Sequence, residues 1–598
     1  MRQIIFLRAV LACLCLVVVK PVFAGTSNES GKAAPESYAG VAWPAIDGLG
    51  RTLPVDGEVS PPKRDRFVGI FYFLWLNEVH NKSPHYEGPY DVSKILARDP
   101  DALQKPDSPL WGPIGRSHYW GEPLYGYYLS TDPWVLRRHA WLLSDAGIDT
   151  LIFDTTNAIT YRDVYMKLCE VFRQVRQDGG HTPQISFMVN TQAGKTAEQI
   201  YNELYKPGLF PELWFHWQGK PLMICDPAEA SPELKEFFTL RKAHWPFQQV
   251  NTPYAWHWEA AYPQHYGFTD DPDRPEQVNV SVAQNLRVAD GAVTNMSNGD
   301  ARGRSFHNGK MDTSTGAVNY GHNAQEQWER AIELDPPFIM VTGWNEWIAG
   351  RWGQPGGPIV FVDQFNQEYS RDIEPVKGMH GDNYYWQMVA NIRRYKGAAP
   401  LPRASAPRTI RIDGDFSQWQ DVGPEFRDHV GETLPRDVGG AGGLHYTNRT
   451  GRNDIVAAKV ARDADHVFFH VRTREPIRMD GDANGLWLLI DADRNARTGW
   501  EGYEFIVNRE ATGATDRVWL EKHTGSWAWQ RVCEVELRVA DRELHLAIPR
   551  NKLGLAQDGI VLDFKWMDNV QEPGNPLDAY VSGDVAPEGR FRYRYVAD

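Results

Sequence analysis

Between Phe67 and Lys396, short apolar runs and stretches of helical spacing take turns about eight times, and this alternation restricts the fold more than any other property of the chain. The first run, Arg66 to Trp75, is apolar on both faces, as a strand buried inside a parallel sheet must be. A loop follows, Leu76 to Ser130, too long to be a simple connection and rich in aromatic residues, so it is expected to carry function. Thr131-Asp132-Pro133 then opens a helix, with Trp134, Leu136, His139, Leu142 and Leu143 recurring on one face up to Gly147. The pattern continues with a strand at Asp149–Asp154, a helix at Asp163–Gln177, a strand at Gln184–Asn190, a helix at Thr196–Tyr205 and a strand at Lys220–Cys225 ending at Asp226. Shorter apolar segments lie at Phe238–Ala243 and Val278–Ala283. A helix at Ala324–Leu334, a strand at Phe338–Thr342, an eighth candidate strand at Ile359–Val362 and a helix at Asp382–Arg394 complete the set. Alternation of this kind predicts an α/β fold, a (β/α)8 TIM-like barrel. A doubly wound sheet would need a Gly-rich phosphate loop after the first strand, and none is there.

The barrel is expected to span residues 65–397. Residues 1–24 read as an export signal, with Arg2 and Arg8 before the apolar run Ala9–Val19 and a small-residue cleavage motif at Val22-Phe23-Ala24. Residues 25–64 read as a linker, and the Pro/Ala-rich stretch 398–407 as a second one. Beyond it, 408–598 changes to runs of strand character separated by turn signals, predicting an all-β sandwich. An exported, periplasmic or secreted protein without a membrane span is the expectation. After cleavage only Cys169, Cys225 and Cys533 remain, with neither a disulfide framework nor metal-ligand spacing. The net charge of -14 supplies no basic excess for phosphates, which argues against a nucleic-acid partner. Aromatic residues make up 12% of the chain, more than a core needs, and exposed rings suit flat, partly apolar ligands.

In a (β/α)8 barrel the chemistry gathers at the C-terminal ends of the strands. Those ends offer Tyr72 and Trp75, Asp154 with Asn157, Asn190, Asp226, Trp344-Asn345-Glu346-Trp347, and Asp363 with Gln364. Indoles stack on pyranose faces, amides hold hydroxyls, and a carboxylate beside apolar rings has a tunable pKa, so the constellation points to sugar chemistry. The plain alternative for the Trp-rich turn is a core strand capped by a solvated Glu. Glycoside hydrolysis requires two carboxyl groups flanking one bond. Glu346 is the first, and the second comes from Asp154, Asp226, Asp363, Glu368 or Asp372, with Asp154 and Glu368 favoured. Asp154 could instead cap the following turn. Tyr72, Trp75, Asn157, Asn190, His216, His307, Trp344, Asn345 and Trp347 are the expected substrate-binding residues. The histidines lack the spacing of a metal site, so catalysis without a metal or cofactor is expected.

Through Gly343-Trp344-Asn345-Glu346-Trp347, the segment Phe67–Lys396 resembles the exported glycosidase-like barrels that include glycoside hydrolase families 71 and 99. In family 99, of endo-acting α-mannosidases and α-mannanases, the motif continues Asn-Glu-Trp-His-Glu. There the first Glu assists attack and the second is the acid/base. The resemblance gives Glu346 the first role, whereas the second position here is Ala349, so the fold and Glu346 carry over and the substrate does not. The C-terminal region resembles family 9 carbohydrate-binding modules in Ile412-Asp413-Gly414-Asp415-Phe416-Ser417-Gln418-Trp419 and in the stretch Leu489–Trp500. That resemblance implies sugar stacking on Trp487 or Trp500. Asp491, Asp493 and Asn495 could supply oxygens to a structural Ca²⁺, an Asx-rich turn being the alternative. The expected function is an exported glycoside hydrolase acting on an oligo- or polysaccharide. A carbohydrate-binding protein that keeps the fold without the chemistry is the alternative, and a glycosyltransferase-like barrel a third reading.

Overall fold

A computed structural model of the chain describes residues 42–77, 81–479, 485–555 and 559–597. β1 (Phe67–Tyr72) shows how period-two alternation builds the first half of the molecule. Phe71, with Phe73 just beyond the strand, joins Ile152, Met188, Leu222, Trp256, Phe338 and Met340 in an inner cluster. Val68, Ile70 and Tyr72 belong to the outer layer shared with the helices. Gly69 leaves room for the Phe338 ring, since a β-carbon there would sit 2.6 Å from Phe338 Cζ.

Seven further parallel strands complete the ring: β2 (Thr150–Thr155), β3 (Gln184–Val189), β4 (Lys220–Ile224), β5 (Thr239–His244), β6 (Ala255–His257), β7 (Gln277–Ser281) and β8 (Phe338–Thr342). Each pairs with its neighbour in chain order except β6 with β7, and β8 returns to β1. At the remaining join, between β6 and β7, the Gln277 side chain imitates a strand: its amide oxygen accepts from His257 N at 2.8 Å and its nitrogen donates to His257 O at 2.9 Å. Near the start of β7 the interior is plugged by Arg241 and Glu276, whose nitrogen and oxygen approach to 2.6 Å, with the indoles of Trp217 and Trp256 donating to the same carboxylate. The helices are α1 (Val92–Arg98), α2 (Pro133–Asp145), α3 (Arg162–Gln177), α4 (Ala193–Ile200), α5 (Pro232–Phe237), α6 (His322–Leu334) and α7 (Asn383–Lys396). α2 begins where the sequence predicts, Asp132 accepting from the amides of Trp134 and Val135 with Pro133 in the first turn.

Three expectations are corrected. Ile359–Val362 is not a barrel strand and makes only a bridge from Val360 to Trp352. Its place is taken by β6, which is only three residues long. The helix expected at Thr196–Tyr205 starts at Ala193 and widens into a π turn over Tyr201–Tyr205. Residues 42–64, expected to be a loose linker, are packed: the Trp43 ring lies 5.5 Å from Phe426 and 5.3 Å from Tyr593, and its carbonyl accepts from Arg393. The segment read as an export signal lies outside the described residues. Among the described residues no helix is long and apolar enough to cross a membrane.

Beyond the barrel the strands are all antiparallel, and apart from a two-stranded ribbon of Arg436–Gly439 and His445–Asn448 they form one continuous sheet instead of the two stacked sheets of a sandwich. They are β9 (Glu425–Arg427), β10 (Ile455–Arg462), β11 (His466–Thr473), β12 (Trp487–Asp491), β13 (Phe505–Ala511), β14 (Arg517–Gly525), β15 (Ala528–Ala540), β16 (Glu543–Pro549), β17 (Ile560–Asp568), β18 (Asp584–Ala586) and β19 (Tyr593–Ala597). The order runs β9-β10-β11-β16-β15-β14-β13-β12-β17, with β18 and β19 both on β17. The sheet curls until its two ends approach, Ile455 N of β10 donating to Asp584 of β18 at 2.6 Å. The C-terminal half is joined to the barrel by buried contacts, among them Arg436 on Asp132 at 2.7 Å and Arg590 on Asp382 at 2.6 Å.

Candidate active site

The turn after β8 is held by its aromatic and amide residues from within. Trp344 and Trp347 are both fully buried. Trp347 stacks on Trp120 at 4.7 Å, and its indole nitrogen donates to Glu374 at 2.5 Å. Trp344 meets the edge of His139. Asn345 pairs with the backbone of Phe73 in both directions, accepting from its amide at 2.9 Å and donating to its carbonyl at 3.2 Å. Tyr72 points outward from β1, its hydroxyl 2.8 Å from His139 Nδ1, and His139 Nε2 lies 2.9 Å from Glu374. Tyr72, Trp344, Asn345 and Trp347, expected to touch substrate, therefore fix the geometry of the turn: the alternation that turns Phe71 inward sends Tyr72 outward, and their packing and hydrogen-bond partners hold the other three inside the protein. Asp372 completes the frame: one oxygen accepts from Glu346 N at 2.5 Å and the other from the Trp120 indole at 2.6 Å.

Glu346 is the residue this frame presents. It is 5% exposed, and its Oε2 accepts from Gln364 Nε2 at 2.6 Å and from Arg371 Nη2 at 3.2 Å. The same Arg371 nitrogen lies 3.5 Å from Asp363 Oδ1, and its other terminal nitrogen lies 3.5 Å from Glu259 Oε2. The guanidinium also rests over the Trp258 ring, 4.8 Å from its centre. Burial holds the Glu346 carboxyl well above the usual carboxylate range; Arg371 opposes this, and the charges of Asp363 and Asp372 add to it. Burial likewise pushes Glu259 up to about 7, with Arg371 opposing and Asp363 assisting. Asp363 is the open member of the group, its side chain 46% exposed. It also adds to the rise at Asp154, a carboxyl that burial lifts while the Thr156 amide, 3.0 Å away, and the Trp75 indole beside it pull the other way. One arginine, three carboxyls around it and Asp154 within the field of Asp363 thus meet at the C-terminal mouth.

Two expected residues line the approach to this centre. Asn190, exposed after β3, accepts from the Trp245 indole at 3.0 Å, and Trp245 packs on Trp258 at 5.2 Å. Trp75, half-buried, packs on Phe73, Phe73 on Phe71 and Phe71 on Trp258, so buried rings connect the partly exposed Trp75 and Trp245. The others lie elsewhere. Asn157 is exposed but bonded to Tyr161 at 2.6 Å. Both oxygens of Glu368 accept from Ser305, from its amide and its hydroxyl, each at 2.7 Å, so this expected catalytic group anchors a loop. Asp226 pairs with Lys242 at 2.7 Å. His216 lies opposite Pro221 at the start of β4, the far end of the barrel from the mouth. The ring of His307 packs on His322 at 4.4 Å. Ala349 pairs with His118 in a two-stranded antiparallel ribbon and packs among Val92, Trp111 and Phe361.

Glu259 escaped the sequence reading because β6 went unrecognised. Its signal was Trp256-His257-Trp258-Glu259, aromatic residues at alternate positions leading into a carboxylate. In the C-terminal sheet Trp487 is buried and Trp500 packs edge-on to Trp527 at 4.7 Å, so these rings stack on their own neighbours. Asn495, one of the expected Ca²⁺ ligands, accepts from Arg497 N, while Asp491 pairs with Arg592 at 2.9 Å and Asp493 accepts from Asn495 N and Thr498 Oγ1. Donors from the protein already meet these oxygens, as in an Asx-rich turn.

No family model and no curated protein sequence matches the chain. Among solved structures, two of the GH99 endo-α-mannosidase from Bacteroides thetaiotaomicron are similar, one of them in complex with bis-tris-propane. The complex is 14% identical, covering 55% of this chain and 97% of its own, with a TM-score of 0.32. The other is 15% identical, covering 56% and 99%, with a TM-score of 0.33.

Proposed function

We propose that the chain is an exported, periplasmic or secreted glycoside hydrolase acting on an oligo- or polysaccharide, with Glu346 as general acid and Asp363 as the second carboxylate. The observation that carries this reading is that Glu346 Oε2 and Asp363 Oδ1 lie 3.2 and 3.5 Å from one nitrogen of Arg371. Their oxygens are therefore no more than about 7 Å apart, an upper limit that admits the roughly 5–5.5 Å of two carboxyl groups flanking a glycosidic bond. Their surroundings separate their roles. Glu346 is buried and held above the usual carboxylate range, so it retains a proton that an ordinary Glu would have lost. Gln364 and Arg371 both donate to Oε2, which leaves the proton of the neutral acid on Oε1 for the leaving-group oxygen. Asp363 reaches solvent beside the guanidinium and can activate water or attack the anomeric carbon. Arg371 supplies fixed positive charge that does not titrate in the working range. The partly exposed rings of Trp75 and Trp245 suit the apolar faces of pyranose rings.

The test is Glu346→Gln assayed beside the parent on a panel of polysaccharides and complex glycans. The amide keeps the Oε2 acceptor and removes the proton, so turnover should fall at least ~10³-fold with folding and binding retained. Near-normal turnover would refute the assignment. Ala349 stands where the resemblance sets a second catalytic Glu, and this favours one other reading, a barrel that binds carbohydrate without cleaving it. Binding by both proteins with no product from any substrate would establish that instead.

A further inference from the structure

Where the C-terminal sheet closes, Asp428, Glu432 and Asp584 each bring a carboxylate oxygen within 4.8 Å of the other two. Such a cluster is ordinary on a surface, but here Glu432 is 5% exposed and Asp584 2%. Asp428 Oδ2, Glu432 Oε2 and Asp584 Oδ1 are all buried, and no donor of the protein reaches any of them. A buried carboxylate oxygen without a donor costs several kcal/mol, and three facing one another multiply the repulsion. The nearby cation offsets it only in part: Lys565 lowers the Asp428 carboxyl, but its Nζ also donates to the carbonyls of Pro587 and of Phe591, the latter at 3.1 Å, and the acid Glu588 works against it on Asp428 and Glu432. The trio of Asp491, Asp493 and Glu504 makes the contrast, since donors from the protein serve its oxygens.

We infer that Asp428, Glu432 and Asp584 bind a Ca²⁺ ion that clasps the loop after β9 to β18. Every donor is a carboxylate oxygen, the preference of a hard cation, and no imidazole or thiolate is offered for a softer one. Two oxygens on opposite sides of a Ca²⁺, each at 2.3–2.6 Å, are separated by about 5 Å, the scale of this cluster. Mg²⁺ is the poorer fit, because it keeps several waters and this position is enclosed. Burial, together with neighbouring negative charge, lifts all three carboxyls well above the usual range, and a divalent cation would reverse that tendency. The loop that supplies two of the ligands also reaches the barrel, where His429 Nε2 lies 2.9 Å from Asp145 of α2. The ion would therefore stabilise both the closure of the sheet and its junction with the barrel.

The test uses the full mature chain. Purified without chelator, the parent should carry about one more Ca²⁺ than Glu432→Gln or Asp584→Asn, measured by elemental analysis. EGTA should lower its unfolding temperature by roughly 3 °C or more, Ca²⁺ should restore it, and equal Mg²⁺ should not. Both variants should lose the EGTA response, and Asp493→Asn should keep it. Asp428→Asn, at the least buried ligand, replaces them if the two buried substitutions do not fold. A parent without bound Ca²⁺ and without a response to EGTA overturns the inference, and so does Ca²⁺ retained by the variants.

Discussion

At the scale of single residues, the acid cluster around Arg371 should govern how stability changes with pH. Glu259 has an ordinary value near 4.5 in the unfolded chain and about 7 in the folded one, so folding takes up its proton. Its contribution is fully favourable below pH 4.5 and is lost as the pH rises through 7, a loss of about 3 kcal/mol. Glu259→Gln should therefore gain on the parent between pH 4.5 and 8 in unfolding temperature. An equal difference at both ends would show that burial does not control this carboxyl. How much of the centre could be read from the sequence follows from the same residues. Glu346 was legible because an apolar five-residue strand leads straight to it. Trp344, Asn345 and Trp347 were legible as part of the site but not in their role, since which way a side chain turns after a strand is decided by its packing partners. Arg371 was visible only as a neighbour of acids. That it would reach Glu346, Glu259 and Asp363 together depends on contacts as distant in sequence as 112 residues.

At the scale of elements, the barrel interior tolerates little change because a ring of one strand fills the space left by a glycine of another. The β-carbon of Gly69→Ala would meet Phe338 Cζ at 2.6 Å and Ile152 Cδ1 at 3.0 Å, both enclosed by neighbours. The substitution should destabilise by about 1–3 kcal/mol in a denaturant titration, with the unfolding slope unchanged. An unaffected midpoint would show that the Phe338 ring can shift. Long apolar strands such as β2, β3 and β8 announce themselves by composition, and the capped start of α2 by chemistry. β6 does not, because three residues carry too little pattern. Nor does the architecture of the C-terminal half: its strands were legible one by one, but whether they form two sheets or one is set by pairings such as β11 with β16, which lie far apart in the chain.

At the scale of the whole molecule, the two halves share residues, and Asp132 serves both. One of its oxygens caps α2 of the barrel, and the other takes Arg436 from the C-terminal half at 2.7 Å with both partners buried. Removing one member of such a pair costs about 3–5 kcal/mol. Arg436→Met should lower the unfolding temperature while calorimetry still records a single transition. Two transitions, with only one displaced, would mean that the halves unfold independently. The join at Gln277 has a consequence of another kind. A cylinder stitched all round by peptide groups resists opening equally everywhere, whereas at this join the direct link between β6 and β7 is a glutamine amide, with Tyr266–Gly267 paired on β7 beside it. Fluctuations of the ring should gather along that line, where one side-chain rotation releases both direct hydrogen bonds between the two strands at once. Trp258 and Glu259 leave β6 immediately beyond it, so the bore of the mouth is tied to a fastening that evolution can loosen or tighten by one codon, without rebuilding any strand.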